Sequence, residues 1–189
     1  MAINHKKLSV CLSLAAFNLI IGAIVSFFKL PIYLDSIGIV TSTVLLGWRY
    51  GIVCSLVTVS AGFFLINPYL PFYTLTSLGI LTISHFARKF NFFSQPVKII
   101  IVGLVLAVVA AILSAPITTY LFEGSTLSGS DAITACFISV GKNIFSSVLL
   151  SGFSSEPVDK IIVALISFFI LKSLPKSFVE KNDFRYYKD

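Results

Sequence analysis

Ionisable side chains are scarce in this chain, and those able to do chemistry gather in a few short stretches. One is Lys29-Leu30-Pro31-Ile32-Tyr33-Leu34-Asp35-Ser36. It sets a lone carboxylate and a phenol between apolar runs, where carboxylates are costly, rare and usually functional. Asp35 can cap the helix that follows, its oxygens accepting backbone N–H groups, or it can face a ligand; the two roles are compatible. Tyr33 can stack on a flat ring or anchor at a membrane interface. A second stretch is Glu156-Pro157-Val158-Asp159-Lys160. Pro157 suits the first position of a helix and Asp159 its first turn. Glu156 and Lys160 stand four apart and can pair. Asp159 and Lys160 nevertheless enter an apolar run, where ionisable groups face cavities, so Lys160 is expected to touch a ligand. Lys142 and Asn143 are candidates for the same cavity, with a solvated helix face as the alternative. Tyr73 and Thr76 share a helix face and offer a ring and a hydroxyl, core packing being the plainer role for Thr76.

Metal chemistry is not expected. His85 sits beside Arg88-Lys89 with no cysteine or carboxylate near it and reads as an interfacial residue. Cys11, Cys54 and Cys136 are far apart in apolar settings without a CxxC, so they read as packing residues and not as a disulfide or metal set.

The elements that must position these groups are membrane helices. The chain of 189 residues is 57% hydrophobic and 12% charged, with mean hydropathy +0.97. That composition belongs to a polytopic membrane protein and excludes a soluble domain. No stretch alternates with period two as a barrel strand would, which leaves helices to satisfy the backbone in lipid. The net charge of +6 is dispersed as short loop signals, so it marks topology and not nucleic-acid binding. The N-terminal run follows His5-Lys6-Lys7 without a clear cleavage site and is read as a retained first span.

Apolar segments lie at 8–28, 36–47, 51–66, 71–87, 97–122, 131–150 and 157–174. Basic residues at Lys6, Lys7, Arg49, Arg88, Lys89 and Lys98 mark the N-terminus and alternate loops as cytoplasmic, and the tail 175–189 is basic as well. Both ends on one side require an even number of spans. The segment to demote is 131–150, whose Asp131, Thr134, Ser139, Lys142, Asn143, Ser146 and Ser147 are too polar to face lipid. It is expected to be a helical or re-entrant element on the outer face. The expected fold is thus all-α: one domain over 1–189, a bundle of six transmembrane helices with both termini cytoplasmic and a short charged tail. On this arrangement only Lys29, Lys142 and Lys160 among the basic residues lie outside, where Asp35, Glu123, Asp131, Glu156 and Asp159 also lie. The second span, 36–47, reaches only about 18 Å as a helix, short of the ~30 Å hydrocarbon core, which suits a hollow above Asp35. The loop Asn67-Pro68-Tyr69-Leu70-Pro71-Phe72-Tyr73 can cap it, or its aromatics can form an interfacial belt. The small residues Gly103, Ala107, Ala111 and Ala115 permit close helix packing. The Gly/Ser-rich loop 123–130 is mobile by composition and could serve as a gate.

Taken together, Leu30-Pro31-Ile32-Tyr33-Leu34-Asp35-Ser36-Ile37-Gly38, Leu45-Leu46-Gly47-Trp48-Arg49-Tyr50-Gly51, Ser114-Ala115-Pro116 and the run from Asp159-Lys160 to Leu171-Lys172-Ser173-Leu174-Pro175-Lys176 carry a resemblance. The chain resembles an S component, the substrate-binding membrane subunit of an energy-coupling factor (ECF) type ABC transporter for vitamins and related micronutrients. The resemblance implies a bundle in the bacterial plasma membrane that binds a vitamin-like ligand at its outer side. It implies docking on a transmembrane coupling subunit (EcfT-like) that carries two cytoplasmic ATPases, and toppling in the membrane to release the ligand. The Ala-x-x-x-Ala docking face common in the family's first span is replaced here by Ser9-x-x-x-Ser13 and Gly22-x-x-x-Ser26. Riboflavin-binding relatives have Asn-x-x-Lys at the sixth span; Lys160 matches the lysine while Pro157 stands for the asparagine.

The expectation is a binding subunit for small-molecule uptake, not an enzyme, with no cofactor. The expected ligand contacts are Tyr33, Asp35, Tyr73, Thr76, Lys142, Asn143, Asp159 and Lys160. Their mixed charges suit a polar or zwitterionic heterocycle, such as a pyridoxine-like compound. No Gly-x-x-x-x-Gly-Lys-Ser/Thr occurs, so ATP hydrolysis belongs to another chain. A stand-alone secondary carrier would want inverted repeats, and the halves show no convincing similarity. An intramembrane enzyme would want paired acids or a His/Glu set on facing spans, whereas the acids here gather at one outer face.

Overall fold

The apolar runs fold as helices, with no strand among the described residues. The computed structural model describes residues 4–175 together with Ser177 and Val179. Helix α1, His5–Phe27, starts at Asn4, whose side chain accepts the Lys6 and Lys7 N–H groups. Helix α2, Ile37–Leu46, is followed after Gly47 alone by α3, Trp48–Leu65. Gly47 has φ +99, a conformation in which a β-carbon is strained, so glycine is what lets two helices meet at one residue. A short 3-10 turn at Leu70–Tyr73 leads into α4, Thr74–Lys89. Helix α5, Pro96–Phe122, opens on a proline and closes on Glu123 in the left-handed region. Helix α6, Asp131–Ser139, is short, and α7, Ile144–Ser173, is the longest.

Every residue of α2 is buried. The helix carries no charge, the Ser42 and Thr43 hydroxyls turn back onto the Ile39 carbonyl, and it packs against α1, α3, α4 and α7 at the centre of the bundle. Its seat on α1 is close: a β-carbon on Gly38 would lie 2.1 Å from the Leu14 carbonyl oxygen. The fully buried Asn18 joins three helices there. Its Oδ1 accepts the Gly38 N–H at 2.6 Å and its Nδ2 donates to Thr58 Oγ1 at 3.3 Å. Along α5, Gly103, Ala107, Ala111 and Ala115 are all buried, and a β-carbon on Gly103 would lie 2.7 Å from Ile161 Cα of α7. The small-residue stripe is internal packing.

Helices α1, α3 and α5 are long and apolar enough to cross a membrane. Only 28%, 33% and 39% of their apolar windows are buried within the bundle, so most of that surface needs a non-aqueous neighbour. Outward-facing Ile20, Phe64, Leu104 and Ile112 supply it.

Two expectations about the polar segment are corrected. The range 131–150 is not one element: α6 ends at Ser139, a turn through Gly141 (φ +86) follows, and α7 begins at Ile144. Pro157 lies inside α7 and not at its first position. The helix starts earlier because Asn143 caps it, its Oδ1 accepting the Ser146 N–H at 2.8 Å. The polar residues do not end the helix because they turn inward. Ser147, Ser151, Ser155 and Asp159, spaced four apart, are all buried. The tail expected at 175–189 lies outside the described residues apart from Pro175, Ser177 and Val179, and Val179 is part of the buried core.

Candidate functional site

Beyond the end of α1 the chain runs through 28–36, where Lys29 (φ +50) and Leu34 (φ +51) adopt left-handed backbone. Such strain persists only where surroundings impose it. At Leu34, Asp159 does so: its Oδ1 accepts the Tyr33 N–H at 2.9 Å and the Leu34 N–H at 2.7 Å. Its Oδ2 takes the Lys160 ammonium. One fully buried carboxylate of α7 therefore anchors the 28–36 loop and neutralises the lysine next to it.

The Gly/Ser-rich loop lies across this segment. A β-carbon on Gly129 would come within 2.2 Å of both the Lys29 and Leu30 carbonyl oxygens, so the two backbones touch only because residue 129 has no side chain. Lys29 Nζ donates to the Leu127 carbonyl at 2.6 Å, and Tyr33 Oη and Ser130 Oγ are 2.6 Å apart. Asp131 organises the loop from its own end, accepting the Thr126 N–H at 2.9 Å and the hydroxyls of Ser125, Thr126 and Ser128. The serines and threonines of the loop expected to be mobile are spent on an internal network that lays it as a lid over the 28–36 segment. Gly129→Ala should part the lid from the 28–36 loop. Hydrogen exchange at 125–130 is then expected to quicken about tenfold, the equivalent of ~1.4 kcal/mol of lost closure; unchanged exchange would contradict the contact.

Beneath the two loops lies a cavity of about 140 Å³. Its walls come from Gly22 and Ser26 of α1, the 28–36 loop, the turn carrying Asn67, Tyr69 and Tyr73, Thr76 and Ser77 of α4, Ser114 and Thr118 of α5, the lid, and Glu156 and Lys160 of α7. Tyr73 Oη is 2.7 Å from Thr118 Oγ1, tying the turn to α5, and Tyr69 stacks on Phe122 at 4.3 Å between ring centres.

Of the residues expected at a ligand, Tyr33, Asp35, Tyr73, Thr76 and Lys160 line this cavity. Asp159 stands behind it as the anchor just described. Lys142 and Asn143 lie outside it: Lys142 is exposed in the turn before α7, and Asn143 is also exposed and caps that helix. The turn at Gly141 carries both away from the polar face of α7. Asp35 is not the cap of α2. That position is Ser36, which makes no side-chain capping bond, and the Gly38 N–H goes to Asn18 of α1. The Asp35 carboxyl is thus left for the cavity. Burial raises its pKa above the ordinary value, opposed by the nearby Lys160 ammonium.

Glu156 joins the site without having been singled out for it. Its Oε2 lies 3.1 Å from Lys160 Nζ, yet the approach is too poorly aligned to count as a hydrogen bond. The signal was its spacing, one turn before Lys160 on the same helix face. Gly22 and Ser26, offered by the sequence as a docking pair, instead face the cavity, whereas Ser9 and Ser13 are exposed. Cys11 and Cys54 are buried free thiols and Cys136 an exposed one. Comparison of the chain with protein-family models, with curated proteins and with solved structures finds no match, so the reading of this site rests on its own geometry.

Proposed function

We propose that this chain is the membrane-embedded solute-binding subunit of an ECF-type ABC importer. It captures a small vitamin-like micronutrient at the outer side of the bacterial plasma membrane and performs no chemistry on it. The observation that carries the reading is the cavity beneath the paired loops 28–36 and 124–130. In a bundle with membrane-length apolar helices, its scarce ionisable groups, Asp35, Glu156 and Lys160, meet at one partly open hollow of solute size. Helices α1 to α5 and α7 are then the six spans, with α6 and the lid outside and both termini cytoplasmic. On this reading the hollow lies below the outer surface, because α2 is too short to reach it. Energy comes from elsewhere, through a transmembrane coupling subunit and two ATPases.

Capture of the tagged chain from its native membrane in mild detergent tests the proposal. It is expected to bring with it a polytopic membrane subunit and ATPases that bear the phosphate-loop lysine. Uptake should disappear when those partners are removed. Recovery of the chain alone, with solute transport by the purified chain driven by an ion gradient, would instead assign a stand-alone carrier.

A further inference from the structure

The charge balance of the cavity identifies the kind of solute it takes, an inference that rests on reading the hollow as a solute site. Lys142, counted from the sequence as a second cation, lies outside. Lys29 is exposed and bound to the Leu127 carbonyl in the lid. Among the described residues, Lys160 is left as the one ammonium facing Asp35 and Glu156, and it is already held by Asp159. Three carboxyl groups among the described residues therefore share a single cation at this hollow, and a charge buried without a partner is costly.

Unpartnered polar atoms on the cavity wall point the same way. Glu156 is 5% exposed, Ser36 1% and Thr76 8%. Ser36 Oγ and Thr76 Oγ1 are buried without a hydrogen-bond partner, and Glu156 Oε2 has only the Lys160 ammonium, 3.1 Å away and shared with Asp159; all three residues line the cavity. Native interiors satisfy such atoms, so these await a partner that enters from outside the chain. A carboxylate oxygen only accepts, and an ammonium only donates. An anion would add to the surplus, and a neutral ring would leave the carboxyls to shed their charge by taking up protons, the direction in which burial already pushes Asp35.

Size and walls supply the remainder. About 140 Å³ is close to the ~150 Å³ of an apolar cavity that admits one benzene ring. Tyr33, Tyr69 and Tyr73 supply aromatic faces, which attract cations as well as rings. The Lys160 ammonium already lies 5.8 Å from the Tyr33 ring centre.

We infer that the cavity selects a soluble single-ring organic cation, its ammonium placed between Asp35 and Glu156 and its ring among the tyrosines. Neither an anion nor the zwitterion suggested by the sequence fits this balance. A lipid headgroup amine offers the same charge, but a one-ring volume roofed by two loops favours the soluble source.

Calorimetric titration of the purified protein, in detergent free of phosphatidylethanolamine, tests this with three probes of one ring size: benzylammonium, benzyl alcohol and benzoate. Benzylammonium is expected to bind about tenfold or more tightly than either other probe. Asp35→Asn and Glu156→Gln should each erase that preference. Thr76→Val replaces an unpartnered hydroxyl by a methyl of the same shape, so it should keep the thermal stability of the parent while weakening benzylammonium. Equal or tighter binding of benzoate or benzyl alcohol would overturn the cation assignment and leave the solute site standing. Binding of none of the three would overturn both. Displacement of benzylammonium by phosphatidylethanolamine in nanodiscs would assign the site to lipid and overturn the inference.

Discussion

Replacing Asp159 with alanine is expected to destabilise the protein by ~3–5 kcal/mol, the cost of breaking a buried ion pair from one side. In a chain of this size that lowers the unfolding midpoint by roughly 10 °C. Three groups lose their partner at once. The Lys160 ammonium keeps only the poorly aligned Glu156, and the Tyr33 and Leu34 amides lose the oxygen that holds the 28–36 loop in its left-handed turn. Solute binding should fall with it, because that loop forms one wall of the cavity. The double variant Asp159→Ala/Lys160→Met removes the stranded charge and should recover part of the loss, which a thermal-unfolding cycle measures. A single substitution costing under about 1 kcal/mol would show that Asp159 is not the anchor.

The second large effect is expected at Gly38→Ala. The added β-carbon would stand 2.1 Å from the Leu14 oxygen and 3.1 Å from Asn18 Oδ1. Leu14 presents backbone, which cannot rotate away, and α2 has neighbours on all sides. The helix must shift, at a cost of about 3 kcal/mol, the upper end for overpacking a tight core. The shift also pulls Ser36 and Asp35 out of the cavity wall, so binding weakens together with stability. Gly152→Ala is the control. Its β-carbon would sit 3.3 Å from Ala111 Cβ, a snug contact, and alanine favours a helix interior by up to about 1 kcal/mol, so the melting temperature should hardly move.

What the sequence made legible is what depends on local composition. Apolar runs became helices, the short charge-free segment 36–47 became one over 37–46, and the scarce acids at Asp35 and Glu156 came to one end of the bundle. What stayed hidden depends on partners far along the chain. Asp35 reads as a cap from its own neighbourhood, but the cap comes from Asn18 on another helix, which frees Asp35. Asp159 reads as a first-turn acid because Pro157 looks like a helix start. The helix had begun at Asn143, and Asp159 serves a loop more than a hundred residues earlier. The polar segment 131–150 reads as one element apart from the sixth span because composition carries no direction. The spacing of four along α7, which closes on Asp159, was the clue that the polar stripe faces inward. The lid's serines read as flexibility until Asp131 is seen to gather them.

The central claim is that the loop-roofed end of this bundle holds a solute through the carboxylates beside Lys160. Mass spectrometry of the small molecules carried by the protein, purified in mild detergent alongside an identically prepared Asp35→Asn variant, tests it most directly. The wild-type protein should release a single-ring solute that the variant carries at about tenfold lower occupancy. Identical small-molecule content in the two preparations, or lipid alone in both, would contradict it.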